Sequence, residues 1–212
     1  MINKSSVICI DLDDTIYSEF EFFKSGVKHS FAHFLNEELK DDSLFLQLNS
    51  NWIEHITEKS CVYKNEVLNF YRNHIPRLKL PIESEWFLNK IKKYSLPIVL
   101  ITDGRSITQR NKLSALGILD YFNLIVISEE FGSEKPCIDN FKKVMNFFDE
   151  NYNFIYIGDN TNKDFIGPNQ LSWLTICLLD KGNNIHKQDF NKESRFLPTY
   201  TINSFKQINF NL

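Results

Sequence analysis

The chain has 212 residues, long enough to bury a sizeable core in one or two domains, and its 42% hydrophobic and 24% charged residues are ordinary for a soluble globular protein. A net charge of -3 supplies no global positive field, which sets aside nucleic acid and anionic membranes as partners. No segment approaches the ~20 apolar residues of a membrane span, the start Met1–Ser6 leads into too short an apolar run for a signal peptide, and four scattered cysteines without a Cys-x-x-Cys pair suit reduced thiols in the cytoplasm.

The first predicted element is a buried strand over Val7-Ile8-Cys9-Ile10, a short β-branched run. It runs directly into Asp11-Leu12-Asp13-Asp14-Thr15, so the strand end delivers Asp11 and Asp13 into one small volume. Two acids so placed repel each other unless a cation or a proton intervenes. From about Ile16 to about Tyr94 there is no comparable strand. Apolar residues recur instead at helical intervals: Phe20, Phe23, Val27, Phe31, Phe34 and Leu35, then Leu44, Leu48, Trp52, Ile53 and Ile56, then Val67, Leu68 and Tyr71. A helix over Glu85–Tyr94 leads back to the sheet after Pro76 and Pro81. An insert of this length exceeds a simple crossover, and it reads as a helical subdomain over the carboxyl edge of a sheet.

Strand and helix then alternate. Strands are expected at Ile98–Ile101, Leu124–Ile127, Phe154–Ile157 and Leu174–Leu179, with helices over Ile107–Leu116, Ile138–Phe148 and, interrupted by Gly167-Pro168, Asn162–Trp173. Ser106 and Gly117 bracket the first of these as cap-like residues. The alternation predicts an α/β fold, a doubly wound (Rossmann-like) parallel sheet with helices on both faces. The expected organisation is a core of residues 1–17 and 95–212 and an inserted α-helical cap of residues 18–94. The tail after Pro198 carries no clear signal.

Polar clusters follow four of the strands: Asp11 and Asp13; Thr102-Asp103-Gly104; Lys135-Pro136; and Gly158-Asp159 with Asp164. In a doubly wound sheet these ends converge on one pocket. Several acids, a hydroxyl and a lysine together suit a hard divalent cation and a phosphate. His29 and His33 stand four apart on a helix but lack an obvious third ligand, so packing is the expected role.

This set, in this order, resembles the haloacid dehalogenase superfamily of aspartate-nucleophile hydrolases. Asp11-Leu12-Asp13-Asp14-Thr15 is similar to its first motif, Asp-x-Asp-x-Thr. Ile101–Gly104 resembles the second, Lys135-Pro136 the third, and Gly158-Asp159 with Asp164 the fourth. The long insert resembles the helical cap of one large subgroup.

The resemblance implies a Mg2+-dependent phosphomonoesterase acting on a small phosphorylated metabolite, with nucleoside monophosphates and sugar phosphates the leading classes. Asp11 would attack phosphorus and form an aspartyl-phosphate. Asp13 would protonate the leaving oxygen and later deprotonate water, a task that nearby negative charge favours by easing protonation. Mg2+ would be held by Asp11, the main-chain carbonyl of Asp13, and Asp159, with Asp164 orienting Lys135 or a water on the metal. Thr102 and Lys135 would donate to phosphate oxygens. An acid at position 13 favours phosphoryl transfer over dehalogenation. Position 103 is Asp where relatives often carry Asn, and no catalytic role is assigned to it. A phosphomutase sharing the aspartyl-phosphate, or a regulatory protein on the same scaffold, is the alternative.

Overall fold

A computed structural model describes residues 2–39, 45, 51–148 and 152–211. Five strands are the apolar runs: β1 (Ser6–Ile10), β2 (Ile98–Thr102), β3 (Leu124–Ile127), β4 (Asn153–Gly158) and β5 (Leu174–Leu178). A sixth, β6 (Tyr200–Ile202), lies in the tail, at the sheet edge. All pair in parallel in the order β3-β2-β1-β4-β5-β6. The order reverses direction at β1, and such a switch point opens a crevice at the carboxyl ends of the strands. Ile10 pairs with Leu100 on one side and Ile157 on the other, which brings the ends of β1, β2 and β4 level.

Side chains alternate along each strand between two separate cores. Ile8, Ile10, Ile98, Leu100, Ile155 and Ile157 pack on one face. Val7, Cys9, Val99, Ile101, Phe154 and Tyr156 pack on the other. Helices cover both faces, so the strands read as continuous apolar runs rather than as an alternating pattern.

The insert between β1 and β2 contains α1 (Glu19–Leu35), α2 (Trp52–Ser60), α3 (Lys64–Asn73) and α4 (Ile82–Lys93). Val27, Phe31, Phe45, Trp52, Ile56 and Val67 form its own core. Leu44 and Leu48 lie outside the described residues. α1 and α3 approach so closely at Gly26 that a Cβ there would stand 2.3 Å from the Tyr71 ring, so only glycine fits. His29 and His33 stack on Phe70, with ring centroids 4.8 Å and 4.1 Å away, which is a packing role. α4 contributes Phe87, Leu88 and Ile91 to the core under the sheet, to which α1 adds Phe22.

The second half adds α5 (Ser106–Leu116), α6 (Ser128–Phe131), α7 (Asp139–Phe147) and α8 (Ile166–Gln170). Gly117 ends α5 in the left-handed region, at φ 68°, as expected of a C-terminal glycine. Ser106 is the first helical residue rather than the cap; its amide bonds Glu129 Oε2 at 2.8 Å. α5 also braces the insert: Thr108 Oγ1 donates to the Arg72 carbonyl at 2.9 Å, and Asn111 Nδ2 to the carbonyls of Asn73 and His74 at 3.1 Å. No helix among the described residues is long and apolar enough to cross a membrane.

Candidate active site

The expected site residues converge at the carboxyl ends of the strands. Asp11 follows β1, and its amide continues the ladder to the Ile157 carbonyl of β4 at 2.9 Å. Thr102 ends β2, and Asp159 follows Gly158 at the end of β4. Lys135 reaches in from the loop after α6; its side chain is wholly enclosed. Its Nζ donates to Asp11 Oδ1 at 2.7 Å, Asp164 Oδ1 at 2.8 Å and the Tyr156 hydroxyl at 3.1 Å. All three ammonium protons are thereby used.

Asp164 is the hub behind the site. Its Oδ2 accepts the amides of Asp159 at 3.1 Å and Asn160 at 2.8 Å, while Oδ1 takes Lys135 and Tyr156. Gly158 makes this possible, because a Cβ there would lie 2.5 Å from Asp164 Oδ2. Asp159 is fixed by two residues outside the motifs, Asn184 and Gln188, and by Thr15 of the first motif. Asn184 Nδ2 donates to its Oδ2 at 2.8 Å, Thr15 Oγ1 faces its Oδ1 at 3.4 Å, and Gln188 Nε2 donates to its carbonyl at 2.8 Å.

Asp11, Asp159 and Asp164 are all buried and each offers a carboxylate oxygen, these atoms lying within 4.8 Å of one another. Burial, reinforced by the neighbouring Asp164, pushes Asp11 to about 7 against the pull of Lys135, and Asp159 to about 9. An all-oxygen donor set with surplus negative charge fits a hard divalent cation such as Mg2+. Lys135 is held well above its ordinary value: burial works against its charge, but Asp11 and Asp164 outweigh burial.

Asp13 departs from expectation. Its carboxylate is held by side chains of α5 and by Tyr17. Lys112 Nζ lies 2.8 Å from both of its oxygens, the Tyr17 hydroxyl donates to Oδ1 at 2.6 Å, and Gln109 Nε2 to Oδ2 at 2.9 Å. Burial pushes its pKa up, but Lys112 and these donors prevail and hold it below the ordinary carboxylate value. The expectation that negative neighbours ease its protonation is thus corrected: Lys112, not a carboxylate, is its nearest charged neighbour.

Thr102 Oγ1 accepts from Gln109 Nε2 at 2.6 Å, which leaves its own hydrogen free to donate. The Asp103 carboxylate is engaged with Lys163 Nζ at 2.8 Å and the Lys135 amide at 3.0 Å, so its charge is offset. Asp14, at φ 55°, links the entry to the insert with the loop after β5 through the amides of Glu19 and Ile185, each at 2.8 Å.

Lys112, Gln109, Tyr156, Asn184 and Gln188 were not singled out from sequence. A signal existed for two of them. Positions 109, 112, 113 and 116 form the buried face of α5, and a Gln and a Lys stand on it.

The family model for haloacid dehalogenase-like hydrolases matches residues 8–172. Over 95% of this chain and 94% of the relative, the sequence is 28% identical to glyceraldehyde 3-phosphate phosphatase of Methanocaldococcus jannaschii. It is 27% identical to the Escherichia coli pyrimidine 5'-nucleotidase YjjG over 77% of this chain and 70% of that one. The magnesium-bound HAD hydrolase YfnB of Bacillus subtilis shares the fold at a TM-score of 0.66 and 19% identity, covering 95% of each chain. The chain belongs to the haloacid dehalogenase-like hydrolases.

Proposed function

We propose that this haloacid dehalogenase-like phosphatase is a Mg2+-dependent phosphomonoesterase that hydrolyses a small phosphorylated metabolite through an aspartyl-phosphate on Asp11. The observation that carries the reading is the convergence of Asp11, Lys135, Asp159 and Asp164 at the switch point of the sheet. The curated relatives matched over most of the chain are named for the dephosphorylation of glyceraldehyde 3-phosphate and of pyrimidine nucleotides, which supports a sugar phosphate or a nucleoside monophosphate as substrate.

Asp11 is the nucleophile. Its Oδ1 is held by Lys135, so Oδ2 is the oxygen left to attack phosphorus. As the phosphoryl group arrives, its oxygens compete with Asp11 for a proton of Lys135, and Thr102 adds its free hydroxyl hydrogen. Asp13, which Lys112 keeps ionised in the substrate-free chain, takes up a proton as substrate binds, gives it to the leaving oxygen and later takes one from the water that frees Asp11. Asp11, Asp159 and the main-chain carbonyl of Asp13 would hold Mg2+, with Asp164 bracing Lys135 and the Asp159 loop. When bound, the ion offsets the carboxylates and stabilises charge on the transferring group.

Residues 18–94 serve as the cap and the remainder as the core. Within the cap, α1 to α3 share their own core and form the part suited to move, whereas α4 stays with the sheet. Closure over the crevice would exclude water and read the leaving group. The test is phosphate release with Mg2+ across nucleoside monophosphates and sugar phosphates, including glyceraldehyde 3-phosphate. Turnover that chelator abolishes supports the reading. A phosphoenzyme that passes its group to a second sugar hydroxyl instead of water would make the protein a mutase.

A further inference from the structure

We propose that Lys112 and Gln109 are positioning residues that fix the aim of the Asp13 carboxylate, and that the insert completes this clamp through Phe22. The inference rests on the phosphatase reading and adds residues outside its motifs.

A carboxylate has about four lone-pair sites, and all four of Asp13 are occupied. Oδ1 accepts from Lys112 at 2.8 Å and Tyr17 at 2.6 Å, and Oδ2 from Lys112 at 2.8 Å and Gln109 at 2.9 Å. The rotamer is therefore fixed from two sides. When a proton passes through Asp13, one of these contacts opens while the others keep the group in place. Gln109 has two amide hydrogens, and the second goes to Thr102 Oγ1 at 2.6 Å. One buried amide thus ties the group that handles the proton to the hydroxyl placed for the phosphate.

Lysine is almost never fully buried unless paired. The Lys112 side chain is 4% exposed and its carboxylate partner is Asp13. Its Nζ lies 4.4 Å from the centroid of the Phe22 ring of α1. Phe22 in turn packs on Tyr71 at 5.5 Å and His74 at 4.9 Å, so the interior of the insert bears on the clamp. Movement of α1 away from the sheet would uncover Lys112 and loosen Asp13.

The experiment compares kcat/KM of wild type, Lys112→Met, Lys112→Arg and Gln109→Met on three probes. p-Nitrophenyl phosphate expels a phenolate that needs no proton, whereas glyceraldehyde 3-phosphate and uridine 5'-monophosphate expel alkoxides that do. Lys112→Met is expected to lose about 10- to 100-fold more on the alkyl esters than on the aryl ester, in kcat rather than KM. Lys112→Arg restores most of that difference. Gln109→Met, which removes no charge, shows the same selective loss at smaller size and serves if Lys112→Met does not fold, as judged by its melt. Equal loss on all three probes with wild type active overturns the positioning role and leaves the phosphatase reading standing. Wild type inactive on all three overturns both.

Discussion

Lys135 Nζ lies 2.7 Å from Asp11 Oδ1, and the lysine side chain has no exposure to solvent. The same ammonium lies 2.8 Å from Asp164 Oδ1, so one buried cation holds two buried carboxylates. Lys135→Met removes it and strands both. Breaking a buried ion pair by deleting one partner costs about 3–5 kcal/mol. The metal-free variant should lose that much in urea unfolding and show no turnover. A loss under about 1 kcal/mol would mean that the carboxylates carry little charge without metal.

The acids of the site make stability and metal binding depend on pH. Burial raises Asp11 to about 7 and Asp159 to about 9, both above the ordinary value near ~4 of an unfolded Asp. The folded chain then binds more protons than the unfolded chain between about pH 4 and 9. Without metal, stability should fall as pH rises through that window. A divalent cation must displace these protons, so Mg2+ affinity should climb with pH and binding should release protons. Thermal melts with chelator and with Mg2+ across the window, plus calorimetry in buffers of different ionisation heat, check both. Affinity independent of pH, with no proton release, contradicts the assignment.

Asn184 touches Asp159 from the loop after β5, donating to Oδ2 at 2.8 Å. Groups that orient a metal ligand from behind are typically worth ~10–100-fold in affinity or activity. Asn184→Ala should weaken Mg2+ by about 10-fold with little effect on the melt of the metal-free chain. Unchanged Mg2+ affinity would remove Asp159 from the ligand set or Asn184 from its support.

Asp14 bonds the amides of both Glu19 and Ile185 while sitting at φ 55°. Asp14→Ala loses both bonds and places a non-glycine, non-Asx residue in the left-handed region, at a cost of about 2–4 kcal/mol. Asp14→Asn keeps an acceptor and tolerates the conformation, so it should cost about 1 kcal/mol. Urea titration of the two variants reads the difference; equal cost would show that the backbone conformation carries no strain.

The sheet was legible because β1, β2 and β4 are buried on both faces and so read as unbroken apolar runs. β6 was not, since it is three residues at an edge with two of them exposed. Asp11, Thr102 and Asp159 could be named because each stands at the end of a strand, whereas Lys135 and Asp164 were reached only through the ordered motifs of the family that the sequence resembles. Lys112 and Gln109 were hidden by the assumption that the buried face of α5 is apolar. Ile107, the apolar residue that opens the expected helix, is 48% exposed, while Gln109 is 1% exposed. Asn184 and Gln188 lie in a loop without periodicity, so only the folded chain brings them to Asp159.

The most direct measurement is phosphate release with Mg2+ by wild type and by Asp11→Asn, side by side, on glyceraldehyde 3-phosphate and uridine 5'-monophosphate. The account predicts turnover by wild type, abolished by chelator, and a loss of ~10⁴-fold or more in Asp11→Asn with its melt preserved, because Lys135 keeps Asp164 as a partner. A folded Asp11→Asn variant that hydrolyses either ester at a rate near wild type would contradict the account, because the nucleophile would then be another group.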